Sequence, residues 1–444
     1  MVVLYLFISV ILIIYLSTKL KIHPFIALFI VALLYGFFAG MSFPLIVKSI
    51  NEGFGNTLGS IGLIIILGVI IGAFLENSGA AYTMAEKILQ LIGEKRVTVA
   101  MGIIGYIVSI PVFADSGFIL LSPLNKSLSK KAGISLAGSA VALSLGLMAT
   151  HTLVPPTPGP IAAAGILKAD LGLVILWGLI ISALALIPIL FYAIKIVSKT
   201  YIDPDPEISE DEIINRMKDA PGALKSSLPI LIPILLIVLR SLVNSFGKNL
   251  NGNFIAIISF IGEPVIALTI GMFLSFLLPK KFHFEKMLST TGWVGKALTD
   301  SATIILITGA GGIFGKVLQN SGIAETIGET LGNIHMGIWL PFLLAAAIKT
   351  AQGSSTVSLI TTASIMMPMM STLGFVSEIE KVFVVIAIGA GSAVFSHAND
   401  SFFWVVTQLS GMNVKTGYRL YSFGSFLLGT SAAVILFLFY LIIV

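Results

Sequence analysis

Long runs of apolar residues with hardly a charge among them follow one another from one end of the chain to the other, and they constrain its fold more than any other feature. A membrane-spanning helix needs about 20 predominantly apolar residues. Reading between the charges places spans near 2–20, 24–40, 58–76, 134–165, 170–194, 227–246, 253–278, 298–318, 382–409 and 422–444. Of the 444 residues, 57% are hydrophobic and 11% charged, against about 25% charged in soluble domains. A water-soluble globule cannot hide that much hydrocarbon, so the solvent for most of the chain is lipid. The expected fold class is an all-α polytopic membrane protein, which excludes an ordinary cytoplasmic enzyme. The first stretch, MVVLYLFISVILIIYLS, lacks a basic n-region and a small-residue cleavage site and is expected to be a retained span.

Other features narrow the class. There are no cysteines, so thiolate metal sites, iron–sulfur clusters and cysteine nucleophiles are excluded. Five histidines without HxxxH or HExxH spacing make no metal site; no metal or other cofactor is expected. The net charge of +5 is what inward-facing loops supply, and it requires no nucleic acid. The abundance of glycine and proline, 43 and 18 residues, points to close helix packing and interrupted helices, as in channels and secondary transporters.

The positive-inside rule puts six Lys/Arg clusters in the cytoplasm, among them Lys19 with Lys21, Arg96, Lys126 with Lys130, and Lys415 with Arg419. With Arg96 and Lys126 on one side, the apolar segment between them must enter and leave by the same face. It is expected to be a re-entrant hairpin, about 97–128, with its tip near Pro111 to Gly117. A counterpart at about 337–376 enters from the other face. Such tips are tolerated at membrane depth only where they are buried in protein or line a wet cavity. FLENSG at 74–79 resembles VLQNSG at 317–322, and amphipathic stretches follow each (MAEKIL, IGETL). Five spans and one hairpin per half, an odd number of crossings, predict two inverted repeats, 1–198 and 227–444, with both termini extracellular or periplasmic. The cytoplasmic linker, 199–226, holds a capping-box pattern at Ser209 and Glu212, which predicts a short helix, SEDEIINRM.

Four short segments concentrate polar groups where lipid disfavours them. The first tip, PVFADSGF, carries Asp115 and Ser116; a carboxylate at membrane depth costs about 2.5–3.5 kcal/mol and needs an offset such as a proton, a cation or a helix N-cap role. The second tip carries Lys349, Gln352, Gly353, Ser354, Ser355 and Thr356. Free amides at the start of its following helix would cradle a carboxylate, and the hydroxyls suit a polyol. Lys349 either contacts such a ligand, snorkels, or neutralises a neighbouring acid. The broken helix at 134–165 contains His151, Thr152 and Thr157 around four prolines, whose missing N–H groups bare carbonyls and amides for ions or substrate. The second broken helix, 382–409, holds His397, Asn399 and Asp400. Proton-coupling candidates are Asp400, Asp115, His151 and His397. No GxSxG elbow is present, and Ser396 and His397 diverge as sequence neighbours, which argues against hydrolysis.

The motifs PVFADSGFILLSPL (111–124), HTLVPPTPGPIAAAGILKADLG (151–172), GKVLQNSGIAE (315–325), KTAQGSSTVSLITTASI (349–365) and IGAGSAVFSHANDSFFW (388–404) resemble the gluconate permease (GntP) family in order and over both halves. That resemblance implies a proton symporter in the cytoplasmic membrane, importing gluconate or a related small hydroxy acid. It also implies a homodimer in which an elevator-like transport domain moves on a scaffold. Carried over by motif, the substrate-binding positions are Asp115, Ser116, His151, Thr152, Thr157, Gln352, Gly353, Ser354, Ser355, Thr356, His397, Asn399 and Asp400. Family members are expected often to carry Arg where this chain has Lys349, which lacks the planar fork for gripping a carboxylate. A sodium-coupled carrier of dicarboxylates or D-amino acids and an anion channel stay open as alternatives.

Overall fold

A computed structural model describes residues 2–93, 96–204, 220–246, 251–323 and 336–444, and among them there is no strand. The helices run in the order α1 (Val2–Thr18), α2 (Pro24–Phe38), α3 (Phe43–Asn77), α4 (Ala80–Ile92), α5 (Val97–Val108), α6 (Ala114–Lys131), α7 (Leu136–Leu153), α8 (Pro158–Leu167), α9 (Leu171–Lys195) and α10 (Ala223–Phe246). They continue with α11 (Gly252–Ile261), α12 (Pro264–Phe276), α13 (Phe284–Leu288), α14 (Trp293–Asn320), α15 (Trp339–Gln352), α16 (Ser355–Met366), α17 (Glu378–Ser392), α18 (Ser401–Leu409), α19 (Val414–Gly417) and α20 (Phe423–Ile443).

Every apolar run contains helix, but not always as one straight span. Six helices are long and apolar enough to cross a membrane, or seven with one bent pair. That number is below ten because α1 and α2 have 17 and 15 residues and because residues 393–400 divide the run at 382–409. The run at 58–76 is the second part of a 35-residue helix that starts at Phe43. Pro44 in its first turn suits a helix start, and the polar stretch after it contains nothing that stops a helix. The run at 253–278 bends by 60° between α11 and α12, where Pro264 can open a helix but not continue one. The predicted linker helix SEDEIINRM and the stretch IGETL lie outside the described residues.

The two longest packed helices, α3 and α14, cross where each has a glycine. A Cβ on Gly53 or on Gly312 would overlap the other's backbone, and the Gly312 one would also meet Thr57. Small residues allow backbones this close, which is how apolar helices gain packing energy without a hydrophobic driving force. Asn320 Nδ2 donates to Ser49 Oγ at 2.8 Å across this seam, and Tyr35 of α2 meets Ser321, just past α14, at 3.2 Å. Gly312→Leu is expected to destabilise the protein by about 3 kcal/mol or more, because the overlap is with backbone that cannot rotate away. A melting temperature in detergent equal to that of the wild type would count against this.

The turns that end α3 and α14 share a conformation: Gly79 and Gly322 have φ of 79° and 76°. After each comes a helix–turn–helix (α5 and α6; α15 and α16), then a broken helix (α7 and α8; α17 and α18), then a long apolar helix (α9; α20). The two sets interlock. α8 packs against α16 as well as α3, and Phe118 of α6 meets Phe402 of α18 edge to face at 6.2 Å.

Candidate functional site

Each of the four polar segments takes its shape from a local cause. In the first tip, Pro111 offers no N–H, Ser109 donates its hydroxyl to Val112 O at 2.9 Å, and α6 begins at Ala114 with Phe113 as its cap residue. Asp115 therefore lies inside the first turn of α6 and is not its N-cap, which leaves the carboxylate free to face outward. In the second tip, Gly353 ends α15 with φ of 91°, and Ser354 caps α16 by accepting from Val357 N at 3.3 Å. The first amides of α16, at Ser355 and Thr356, have no carbonyl one turn back in their own helix.

The first break spans 154–157. Here Thr157 donates to Val154 O at 2.6 Å and meets His151 O at 3.0 Å. The break was expected to bare its carbonyls, but this hydroxyl covers two of them. The second break, 393–400, is stitched to the second tip. His397 Nε2 lies 2.7 Å from Thr350 O, and Asn399 Nδ2 donates to Thr350 O and Ala351 O at 2.9 and 3.1 Å. These are the last carbonyls of α15, which its own helix leaves unpaired. Asp400 caps α18 through Oδ1, accepting from Phe402 N at 3.1 Å, while Lys349 Nζ sits 2.6 Å from Oδ2.

Both tips and both broken helices meet at one cavity of about 280 Å³. Ala114 and Asp115 come from α6, Met148 and His151 from α7, residues 352–356 from the second tip, and residues 399–402 from the second break. Of the residues expected from sequence, the wall contains Asp115, His151, Gln352, Gly353, Ser354, Ser355, Thr356, Asn399 and Asp400. Five others stand behind it. Thr157 and Thr152 are buried with their hydroxyls on backbone carbonyls, the latter on Met148 O at 3.0 Å. Lys349 is wholly buried against Asp400, the acid-neutralising alternative for this side chain. His397 holds α15, and Ser116 is half-buried on α6 away from the wall.

Sequence reasoning missed Ala114, Met148, Ser401 and Phe402. Met148 was legible as the residue one turn before His151 on the same helix face. Ser401 donates to Asp115 Oδ1 at 3.3 Å and so links the two halves directly; nothing in sequence pairs residues 286 positions apart. Two polar atoms, His151 Nδ1 and Gln352 Nε2, are buried with no protein partner among the described residues. Both residues line the cavity, and a ligand bound there would be the natural partner for such unpaired groups.

A larger cavity of about 670 Å³ lies among α3, α9, α10 and α14. Its charges are largely used up on one another: Lys316 with Glu52 at 3.6 Å, and Arg240 with Glu263 at 2.5 Å. Asp170 accepts from Leu173 N at 2.8 Å and from Ser241 Oγ. It contains none of the substrate-binding or proton-coupling residues expected from sequence, so the smaller cavity is the candidate site. Among the described residues no group of three or more His, Asp or Glu is placed to hold a metal.

A family model for GntP family permeases matches residues 1–442. The chain belongs to this family. The gluconate permease of Pseudomonas aeruginosa is 35% identical over 424 residues, which cover 94% of this chain and 92% of that one. The D-serine transporter DsdX of Escherichia coli K12 is 33% identical over 424 residues, covering 95% and 94%. Among solved structures, the YdaH transporter of Alcanivorax borkumensis aligns over 88% of each chain with a TM-score of 0.60 at 15% identity, a likeness of fold. As a GntP family permease, the chain is a multi-pass membrane transporter and not an enzyme.

Proposed function

We propose that this permease imports gluconate or a related small hydroxy acid by proton symport across the cytoplasmic membrane. The observation that carries the reading is the chemistry of the cavity wall. On one side, the amide-rich start of α16 suits a carboxylate, and Gln352 and His151 offer unpaired polar atoms to hydroxyls. On the other, Asp115 is the carboxylate of the wall with no cationic partner among the described residues. An anionic substrate beside an ionised Asp115 would face a like charge in a medium of low dielectric. A proton on Asp115 removes that repulsion. Proton and substrate then favour each other's binding by the same factor, as linkage requires.

The identity to a D-serine transporter supports a second reading for the same wall, in which the ammonium of a D-amino acid lies on Asp115 and no proton is needed. A competition panel of gluconate, other sugar acids and D-serine at two pH values, with Na⁺ or choline, separates the two. Gluconate binding is expected to tighten as pH falls and to ignore the change of cation. If D-serine alone bound, independently of pH, the gluconate assignment would be lost.

We further infer that 1–198 and 227–444 are inverted repeats and that the unit bearing both tips moves against α3 and α14 within a homodimer. The recurring order of elements supports this. So do the glycines where the parts touch: Gly72 of α3 against Pro111 O, and Gly311 of α14 against Ile360 and Ser364 of α16. Because the chain has no cysteine, single-cysteine variants report topology cleanly. Cysteines replacing Lys130 or Lys415 are expected to react with an impermeant maleimide only from the cytoplasm, and one replacing Lys168 only from outside. Labelling of all three from one face would remove the inverted arrangement.

A further inference from the structure

Lys349 and Asp400 are the two charged side chains buried among the described residues. Lys349, with no solvent exposure at all, donates to Gly353 O in the second tip and to Asp400 Oδ2 in the second break. Asp400 also accepts from Phe402 N on Oδ1 and from the Ser396 hydroxyl on Oδ2. One main-chain carbonyl and one carboxylate, brought together from two discontinuous segments, form the kind of oxygen set that interrupted helices present to a monovalent cation. Here the chain places its own ammonium there.

We propose that Lys349 is a tethered cation. It occupies the position between second tip and second break, joins them into one body, and makes the transport cycle independent of Na⁺. The proposal rests on the proton-symport reading above and deepens it by saying why Na⁺ has no part in the cycle. It makes Lys349 and Asp400 positioning residues, and it leaves the mobile charge to the wall. The other ionisable groups on the wall with Asp400 are Asp115 and His151. Of these, Asp115 is the carboxylate.

The test is gluconate counterflow in proteoliposomes of the full chain. Wild-type protein is expected to work at the same rate in Na⁺ and in choline, and a requirement for Na⁺ would overturn the proposal. Lys349→Met should lower counterflow at least about 100-fold in choline, because it leaves Asp400 a buried charge without a partner. Adding Asp400→Asn should restore it to within about tenfold, since removing both charges leaves neither uncompensated. The restored double variant should still accumulate gluconate under an inward proton gradient. A double variant that exchanges without accumulating would make the pair the proton carrier. One that stays folded yet binds gluconate as poorly as Lys349→Met would make the ammonium a substrate contact. Either result overturns the tethered cation. If the variants do not fold, a requirement of the wild-type protein for Na⁺ still overturns the proposal. Wild-type protein that shows no counterflow with any sugar acid would instead strike the gluconate reading on which the proposal rests.

Discussion

Proteoliposomes containing Asp115→Asn are expected to exchange gluconate at a rate within about tenfold of wild type and to lose all accumulation driven by a pH gradient. Asparagine has the shape of a protonated aspartate and cannot release the proton, so substrate binding survives while its link to the proton is cut. In the wild type, gluconate affinity should rise as pH falls, because protonation removes the like charge; in the variant this dependence should flatten. The expectation is specific to this carboxylate. Asp400, equally polar in sequence, is ion-paired with Lys349 and accepts from Ser396 and Phe402 as well. Asp115 accepts from the Ser401 hydroxyl at 3.3 Å and has no ion-pair partner among the described residues. Measuring uptake into vesicles with an inward proton gradient decides the matter: a variant that still concentrates gluconate would end the assignment.

The second large effect is expected at Gly353. Its φ of 91° lies in the left-handed region, where a β-branched residue is strained by about 1–3 kcal/mol. A Cβ there would also overlap the carbonyl of Asn399 and lie 3.0 Å from Asp400 N, both backbone atoms. Gly353→Val must therefore push the second tip off the second break and spread the wall that Gln352 to Thr356 form. A combined cost of about 3 kcal/mol corresponds to a loss of more than a hundredfold in gluconate affinity. Isothermal titration of the purified variant reads this directly, and an affinity within threefold of wild type would show that the tip tolerates the displacement. Gly55, with open space around its Cβ position, is the control: Gly55→Ala should leave binding unchanged.

The strongest agreement between sequence and structure concerns places where local chemistry interrupts a helix. Pro111, the prolines at 155–160 and Gly353 each act through the backbone of their own or adjacent residues, and both tips and the first break lie where these residues stand. The weakest concerns single side chains in those segments. His397 and Asn399 looked like ligands because imidazole and amide are costly in lipid. The structure meets that cost with the carbonyls of Thr350 and Ala351, 47 to 49 residues away. Asn399 does this while still touching the cavity, and Thr157 meets its cost within its own turn. A polar residue in an apolar run announces that it has a partner; it does not say which.

By itself, then, the sequence determined that this is a membrane-embedded helical carrier of a known family. It also determined where both tips and the first break interrupt the helices, because missing N–H groups and positive-φ glycines act on the chain locally, and it marked the second break by the polar groups crowded there. Only the tertiary structure decided which polar groups are spent on one another and which remain for a ligand. It paired Lys349 with Asp400 across 51 residues and Ser401 with Asp115 across 286, and it left His151 and Gln352 with unpaired atoms at the cavity. The physical reason is that a buried charge or donor is satisfied by whatever acceptor lies within about 3 Å, and distance in space is what a linear sequence does not record.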